Sequence, residues 1–123
     1  DKIVLAHGVR YVNDLAYADY LEHELPQHEY LGELVREKLI YYPTVTREVF
    51  RHRGRITDAI VDGVMSDATG LPPLNPATDR VMLCGSPAML DDLSALLDGR
   101  GFQASPRTRA AGDYVIERAF VER

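Results

Sequence analysis

The sequence Arg-Val-Met-Leu-Cys-Gly-Ser-Pro, residues 80–87, joins a strand pattern to the start of a helix. Arg80 to Cys84 is a short apolar run that predicts a strand. Ser86 is a suitable N-cap, and Pro87 suits the first position of a helix. An apolar stripe at helical spacing follows, and Gly99 is expected to lie just beyond the helix. A strand that turns directly into a helix is typical of α/β folds.

Three further apolar runs predict strands elsewhere in the chain. They cover Ile3 to His7, Leu39 to Val45 and Asp113 to Phe120. Short apolar runs that are separated by helical patterns favour a parallel sheet buried on both faces.

Helical spacing of apolar residues predicts two more helices between these strands. The first has Asn13 or Asp14 as its N-cap and ends at Pro26. The second covers Ile56 to Val64, and residues 68–79, with one Gly and three Pro, predict a loop. The expected fold class is therefore α/β, an open parallel sheet with helices on both faces.

The composition is that of one globular domain, which we assign to residues 1–123. Apolar residues make up 46% and charged residues 27%, which excludes a disordered chain. No apolar run approaches the roughly 18–20 residues of a membrane span. Cys84 is the only cysteine, and no Cys/His cluster has metal-ligand spacing. With no apolar run of that length and a single cysteine, we expect a soluble, cytoplasmic protein. Because the net charge is −5, nucleic acid and anionic membrane are not expected partners.

An arginine cluster follows the second predicted strand. Residues 47–55 contain four Arg and one Glu, whereas residues 13–35 contain six acidic residues and no Lys or Arg. Arg10 stands after the first predicted strand. Ligands of α/β folds bind at the carboxyl ends of strands, and guanidinium groups match phosphate oxygens with paired donors. The cluster predicts a site for a phosphate monoester; the alternative is a solvated loop whose arginines pair with nearby acids.

Other candidates near the strand ends have a functional and a structural interpretation. Gly85, Ser86 and Pro87 would let a flat ring or a phosphate approach the backbone, or they form an ordinary turn between strand and helix. Cys84 would present a thiol to a reacting ring, or it is a small core residue. The last residues, 119–123, would cover a flat ligand or form a frayed end.

Several of these blocks resemble the bacterial ferredoxin/flavodoxin–NADP reductases. The resemblance covers nearly the whole chain and corresponds to the C-terminal NADP-binding domain of that family. The blocks that carry it are Val81–Met89, His7–Arg10, Thr46–Glu48, Gly54–Ile56 and Ala119–Arg123.

The resemblance implies a role for each matching position. Arg10, Arg47 and Arg55 would surround the adenosine 2′-phosphate of NADP(H), with Thr46 as a hydroxyl donor beside them. An acidic side chain on the ribose is usual in NAD sites, so a cationic cluster favours NADP(H).

The other matching positions concern the nicotinamide ring of NADP(H) and the flavin ring of FAD. The segment from Cys84 to Pro87 would lie against the nicotinamide during hydride transfer to FAD. Ala119 and Phe120 would cover the flavin and gate access of the nicotinamide to it. Electrons would pass between the flavin and a ferredoxin or flavodoxin.

The resemblance also implies that parts of the enzyme lie outside this chain. The family has an FAD-binding β-barrel and a first, central strand of the nucleotide domain that find no match here. We therefore expect a piece of a longer protein that is neither stably folded nor active by itself. The alternatives are an oxygenase reductase component of the same superfamily, a non-catalytic nucleotide-binding module, and a generic α/β domain with an arginine-rich surface loop.

Overall fold

Parallel strands alternate with short helices in residues 1–106 and 112–117, which the computed structural model describes. The chain divides into two compact units, Asp1–Pro72 and Pro73–Arg123. The predicted α/β class with parallel strands is confirmed. The described strands form two sheets of two strands each, so they do not form the single sheet that their order along the chain suggests.

The sheet of the first unit pairs β1 (Ile3–Val9) with β2 (Leu39–Val45) in parallel. The two strands stay in register to their last residues, where Val9 lies opposite Val45. β2 has the bounds that its apolar run predicts, and β1 continues two residues past His7. The carboxyl-terminal half of β2 is buried, so this strand carries much of the core of the first unit.

Three short α-helices belong to the first unit: α1 (Gly32–Lys38), α2 (Ile56–Val61) and α3 (Val64–Thr69). The sequence did not indicate α1. The single helix predicted from Ile56 to Val64 is wrong, because the backbone leaves helical geometry at Gly63 (φ 80°) before α3 begins.

The regular helix predicted from Asn13 to Pro26 is also wrong. At Leu15 the backbone leaves helical geometry (φ −79°, ψ 75°), while the side chain is 8% exposed and belongs to the core. Burial of this leucine therefore overrides the helical spacing of its neighbours. The segment forms one short helical turn, Val12–Asp14, and then a continuous irregular helical stretch over residues 18–27 that contains Tyr20–Glu24 and Leu25–Gln27.

The sheet of the second unit pairs β3 (Val81–Cys84) with β4 (Tyr114–Glu117) in parallel. The strands predicted from these two apolar runs are therefore confirmed. Residues 118–120 of the last run lie outside the described residues. α4 (Pro87–Gly99) is the helix predicted after Ser86. Among the residues of this unit that the structure describes, the buried apolar side chains are Leu83, Leu90, Leu93, Leu97, Phe102 and Tyr114.

The end of α4 differs from the prediction. Phe102 N donates to Leu97 O at 3.0 Å, and Gly101 N donates to Asp98 O at 3.1 Å. This Schellman arrangement requires a left-handed residue, which Gly101 supplies with φ 89°. The prediction that Gly99 takes this position is wrong, because α4 continues through Gly99.

Large apolar side chains remain exposed on the strands of both sheets. Ile3 and Leu5 of β1 are 60% and 42% exposed, and Met82 of β3 is 73% exposed. Strands that are apolar on both faces are typical of sheets that other elements cover on both sides. The described residues leave these side chains in contact with solvent.

Tyr114 connects β4 to α4 through a partly buried hydrogen bond. Its hydroxyl donates to Asp98 Oδ1 at 2.7 Å, and the residue is 3% exposed. We expect Tyr114→Phe to lower the free energy of unfolding of the full-length protein that carries this chain by about 1–2 kcal/mol at neutral pH. Urea denaturation measures this difference, and an unchanged midpoint and slope would contradict it.

Because of its burial and this hydrogen bond, Tyr114 also makes the stability of the folded state depend on pH. Burial, and then the hydrogen bond to Asp98, raise the pKa of Tyr114 in the folded state. The unfolded chain therefore ionises first as the pH rises above the ordinary tyrosine value of about 10, and the folded state loses stability there. We expect the phenylalanine variant to lose less stability than the natural protein in this alkaline range.

Candidate functional site

The carboxyl ends of β1 and β2 bring the first group of predicted site residues together. Beyond the paired strands, Thr46 N donates to Val9 O at 3.0 Å and Arg47 N donates to Arg10 O at 2.9 Å. Parallel pairing of the two strands thus places Arg10, Thr46 and Arg47 at one edge of the sheet.

The chain then returns to the same strand end. Val45 N donates to His52 O at 3.0 Å, and Gly54 N donates to Val45 O at 2.9 Å. Arg53 is thereby paired in parallel with Val45. Arg55 follows in extended conformation as the N-cap of α2. The backbone of all three predicted arginine positions therefore converges near the end of β2.

Buried polar contacts hold the returning segment in place. The His52 ring stacks on Tyr42, with centroids 4.2 Å apart and an interplanar angle of 14°. His52 Nδ1 lies 2.9 Å from Pro43 O, and because a carbonyl only accepts, we assign the proton to Nδ1. The Thr44 hydroxyl donates to Gly54 O at 2.8 Å and is almost fully buried. These contacts anchor the loop without using the side chains of Arg47, Arg53 or Arg55.

An ion pair distinguishes Arg51 from the other arginines near this strand end. Arg51 forms an ion pair with Glu22 at 2.5 Å, and both side chains line a groove of about 220 Å³. Arg10, Arg47, Arg53 and Arg55 are exposed, and within residues 1–106 and 112–117 none of them has a carboxylate within 4.0 Å. The alternative of arginines neutralised by acids therefore describes Arg51 and not the other four.

Glu48 is the one acidic residue in the cluster, and it contacts a backbone amide. Its Oε2 accepts a hydrogen bond from Val12 N at 2.6 Å. This bond joins the loop after β2 to the helical turn after β1. The sequence did not indicate this contact, nor the anchoring by His52 and Thr44, because the partners are distant along the chain.

The chemistry of this strand end suits a phosphate monoester. Guanidinium groups keep their charge at any physiological pH and offer paired N–H donors to phosphate oxygens. Thr46, which is half-buried, adds a hydroxyl at the same edge. We name this group of Arg10, Thr46, Arg47 and Arg55 the arginine site.

The second unit places the other predicted residues at the end of β3. Cys84 is exposed. A Cβ on Gly85 would lie 2.6 Å from Met89 Sδ, so glycine leaves room for that side chain. The Ser86 hydroxyl accepts from Met89 N at 3.3 Å and caps α4, which Pro87 begins. The structural interpretation of the turn is therefore sufficient for Gly85 and Ser86, and their contact with a ring stays a prediction.

Ala119 and Phe120 lie outside the described residues. Within the described part of the chain, no helix is both long and apolar enough to cross a membrane. The same residues contain no group of three His, Cys, Asp or Glu side chains placed to hold a metal ion.

Parallel strands that alternate with helices, with ligand groups at the carboxyl ends of the strands, characterise the nucleotide-binding α/β domains. The family model described as oxidoreductase NAD-binding domain matches residues 1–95. The chain belongs to this family.

Similar proteins agree with this classification. Over 123 residues the chain is 57% identical to a ferredoxin–NADP reductase of Pseudomonas aeruginosa and 58% identical to one of Azotobacter vinelandii. Each alignment covers 100% of this chain and 48% of the relative, so the chain spans about half the length of these relatives.

A solved structure is also similar. It is the crystal structure of a ferredoxin NADP+ reductase from Neisseria gonorrhoeae with bound FAD and NADP, with a TM-score of 0.77 and 25% identity. The match covers 98% of this chain and 45% of that chain. The resemblance identified from the sequence is confirmed.

Proposed function

We propose that residues 1–123 are the NADP(H)-binding domain of an FAD-dependent ferredoxin/flavodoxin–NADP reductase. The names of the two relatives and the FAD and NADP bound in the similar structure support this proposal. The observation that carries it is the arginine site, whose three exposed arginines have no carboxylate partner among the described residues.

In this proposal Arg10, Arg47 and Arg55 bind the 2′-phosphate of NADP(H), and the Thr46 hydroxyl donates to one of its oxygens. The donor set fits a doubly charged phosphate, since it offers three cations and a neutral donor at one edge. NAD(H) has no 2′-phosphate, so these contacts give selectivity for NADP(H). The anchored loop holds Arg47 and Arg55 near their binding positions and lowers the entropy cost of binding.

For the reaction, the proposal places the nicotinamide against the turn from Cys84 to Pro87. FAD, when bound, supplies the hydride and single-electron chemistry. Cys84 is exposed at the end of β3, where its small side chain leaves room for a flat ring. The covering role of Ala119 and Phe120 rests on the resemblance. Ferredoxin or flavodoxin as electron partner and a cytoplasmic location belong to the same proposal.

The purified full-length protein gives the direct test. We expect it to show flavin absorbance bands and to lose them under anaerobic NADPH at far lower concentration than under NADH. The physical reason is that the 2′-phosphate contacts hold the nicotinamide near the flavin for longer.

Three other results would contradict the proposal in different ways. A protein without flavin that binds NADP(H) would be a non-catalytic nucleotide-binding module. Flavin bands accompanied by those of an iron–sulfur cluster in the same chain would indicate an oxygenase reductase component. Equal reduction by NADPH and NADH would show that the arginine site does not give selectivity for NADP(H).

A further inference from the structure

Glu48 stands where its charge is unfavourable for the proposed ligand. It follows Arg47 directly and is the only acid in residues 47–55. A carboxylate near a phosphate site repels the phosphate. Within the described residues, Glu48 has no arginine nitrogen within 4.0 Å, so it does not serve to neutralise the cluster.

The contact that Glu48 makes instead is with the other loop of the site. Its Oε2 accepts from Val12 N at 2.6 Å. Val12 is the first residue of a helical turn, and the amides at such a position have no partner inside the turn. A carboxylate satisfies this amide through a charge-assisted hydrogen bond.

Two bonds therefore tie the loop after β1 to the loop after β2. One is the backbone bond from Arg47 N to Arg10 O at 2.9 Å, and the other is the bond between Glu48 and Val12. The first bond joins Arg10 and Arg47 directly, and the second lies just after them on both loops. Removal of the second bond would leave the segment after Arg10 free to move away from the loop that carries Arg47.

We infer that Glu48 is a positioning residue for the arginine site: its carboxylate holds Arg10 beside Arg47 through the amide of Val12. This inference rests on the proposed function. It assigns two opposite effects to one side chain, because the hydrogen bond assembles the site while the negative charge opposes the phosphate.

Substitution of Glu48 separates the two effects. In the full-length protein we expect Glu48→Ala to weaken NADP+ binding about tenfold by loss of the bond, with NAD+ binding unchanged within about twofold. Glu48→Gln keeps an acceptor oxygen and removes the charge, so it should bind NADP+ at least as tightly as the natural protein. Titration calorimetry with NADP+ and NAD+ measures both.

Val12→Pro tests the donor side of the same bond. Proline removes the amide hydrogen, and it suits the first position of a helical turn. Tyr11 has φ −130° and ψ 152°, which is the conformation favoured before proline. We expect Val12→Pro to weaken NADP+ binding about as much as Glu48→Ala, and the double variant to be no weaker than either single variant.

Glu29→Ala is the matched control, because it removes an exposed acid of the same unit that lies in neither loop, and it should leave NADP+ binding unchanged. Natural affinity in Glu48→Ala, or an equal loss in Glu48→Gln and Glu48→Ala, would overturn the inference. If the natural protein itself binds NADP+ no more tightly than NAD+, the proposed function fails instead.

Discussion

Replacement of Arg47 by alanine is expected to weaken NADP+ binding by the full-length protein about 10- to 150-fold, which corresponds to about 1.5–3 kcal/mol for a charge-assisted hydrogen bond. NAD+ binding should stay within about twofold, because NAD+ lacks the phosphate that Arg47 contacts in our proposal. Arg55→Ala should behave in the same way. Titration of each variant with both nucleotides measures the effect.

Arg51→Ala is the control for charge in this experiment. Arg51 lies in the same arginine-rich loop and carries the same charge, but its guanidinium is held by Glu22 at 2.5 Å. We expect this variant to bind NADP+ nearly as tightly as the natural protein. If Arg51→Ala and Arg47→Ala bind NADP+ equally weakly, the loss of binding comes from general surface charge. If Arg47→Ala weakens NADP+ and NAD+ alike, the 2′-phosphate assignment is wrong.

The polypeptide of residues 1–123 by itself is expected to show no cooperative thermal transition. Each unit has a two-stranded sheet, and small sheets of this kind are marginal in water. Exposure of Ile3, Leu5 and Met82 leaves apolar surface of the strands in water. The prediction concerns the polypeptide in isolation, and circular dichroism on heating measures it.

A core variant makes this second experiment decisive. Leu97 is 1% exposed in α4, and its replacement by alanine lowers the stability of a folded domain by about 2–5 kcal/mol. In a polypeptide without cooperative structure, Leu97→Ala should change nothing. A sharp transition that moves to lower temperature in Leu97→Ala would show that the isolated polypeptide folds.

The strands and the start of α4 were predictable from local sequence. β2 is a mostly apolar run that ends in a β-branched pair, and aromatic and β-branched residues of this kind are enriched in strands. Ser86 and Pro87 specify the start of α4 by their own hydrogen bonding and backbone preference.

The segment from Asn13 to Pro26 could not be predicted in this way. Its apolar spacing is helical, but Leu15 is buried in the core of the first unit with a backbone that no helix allows. Intrinsic helix preference amounts to fractions of a kcal/mol per residue, whereas burial of a leucine contributes about 1.5–3 kcal/mol. Core packing therefore determines the local structure there.

Sequence alone was sufficient to indicate parallel strands, the start of α4 and a basic cluster after β2, because these depend on residue type and on neighbours along the chain. Which arginines have a carboxylate partner among the described residues depended on the three-dimensional structure. Arg51 and Arg53 stand in similar sequence surroundings, yet within residues 1–106 and 112–117 Glu22, 29 residues before Arg51, pairs with Arg51 and not with Arg53. The position of the loop depends likewise on His52, Tyr42 and Thr44. Contacts between residues distant along the chain form only when the backbone folds, since spacing in the sequence does not specify distance in space.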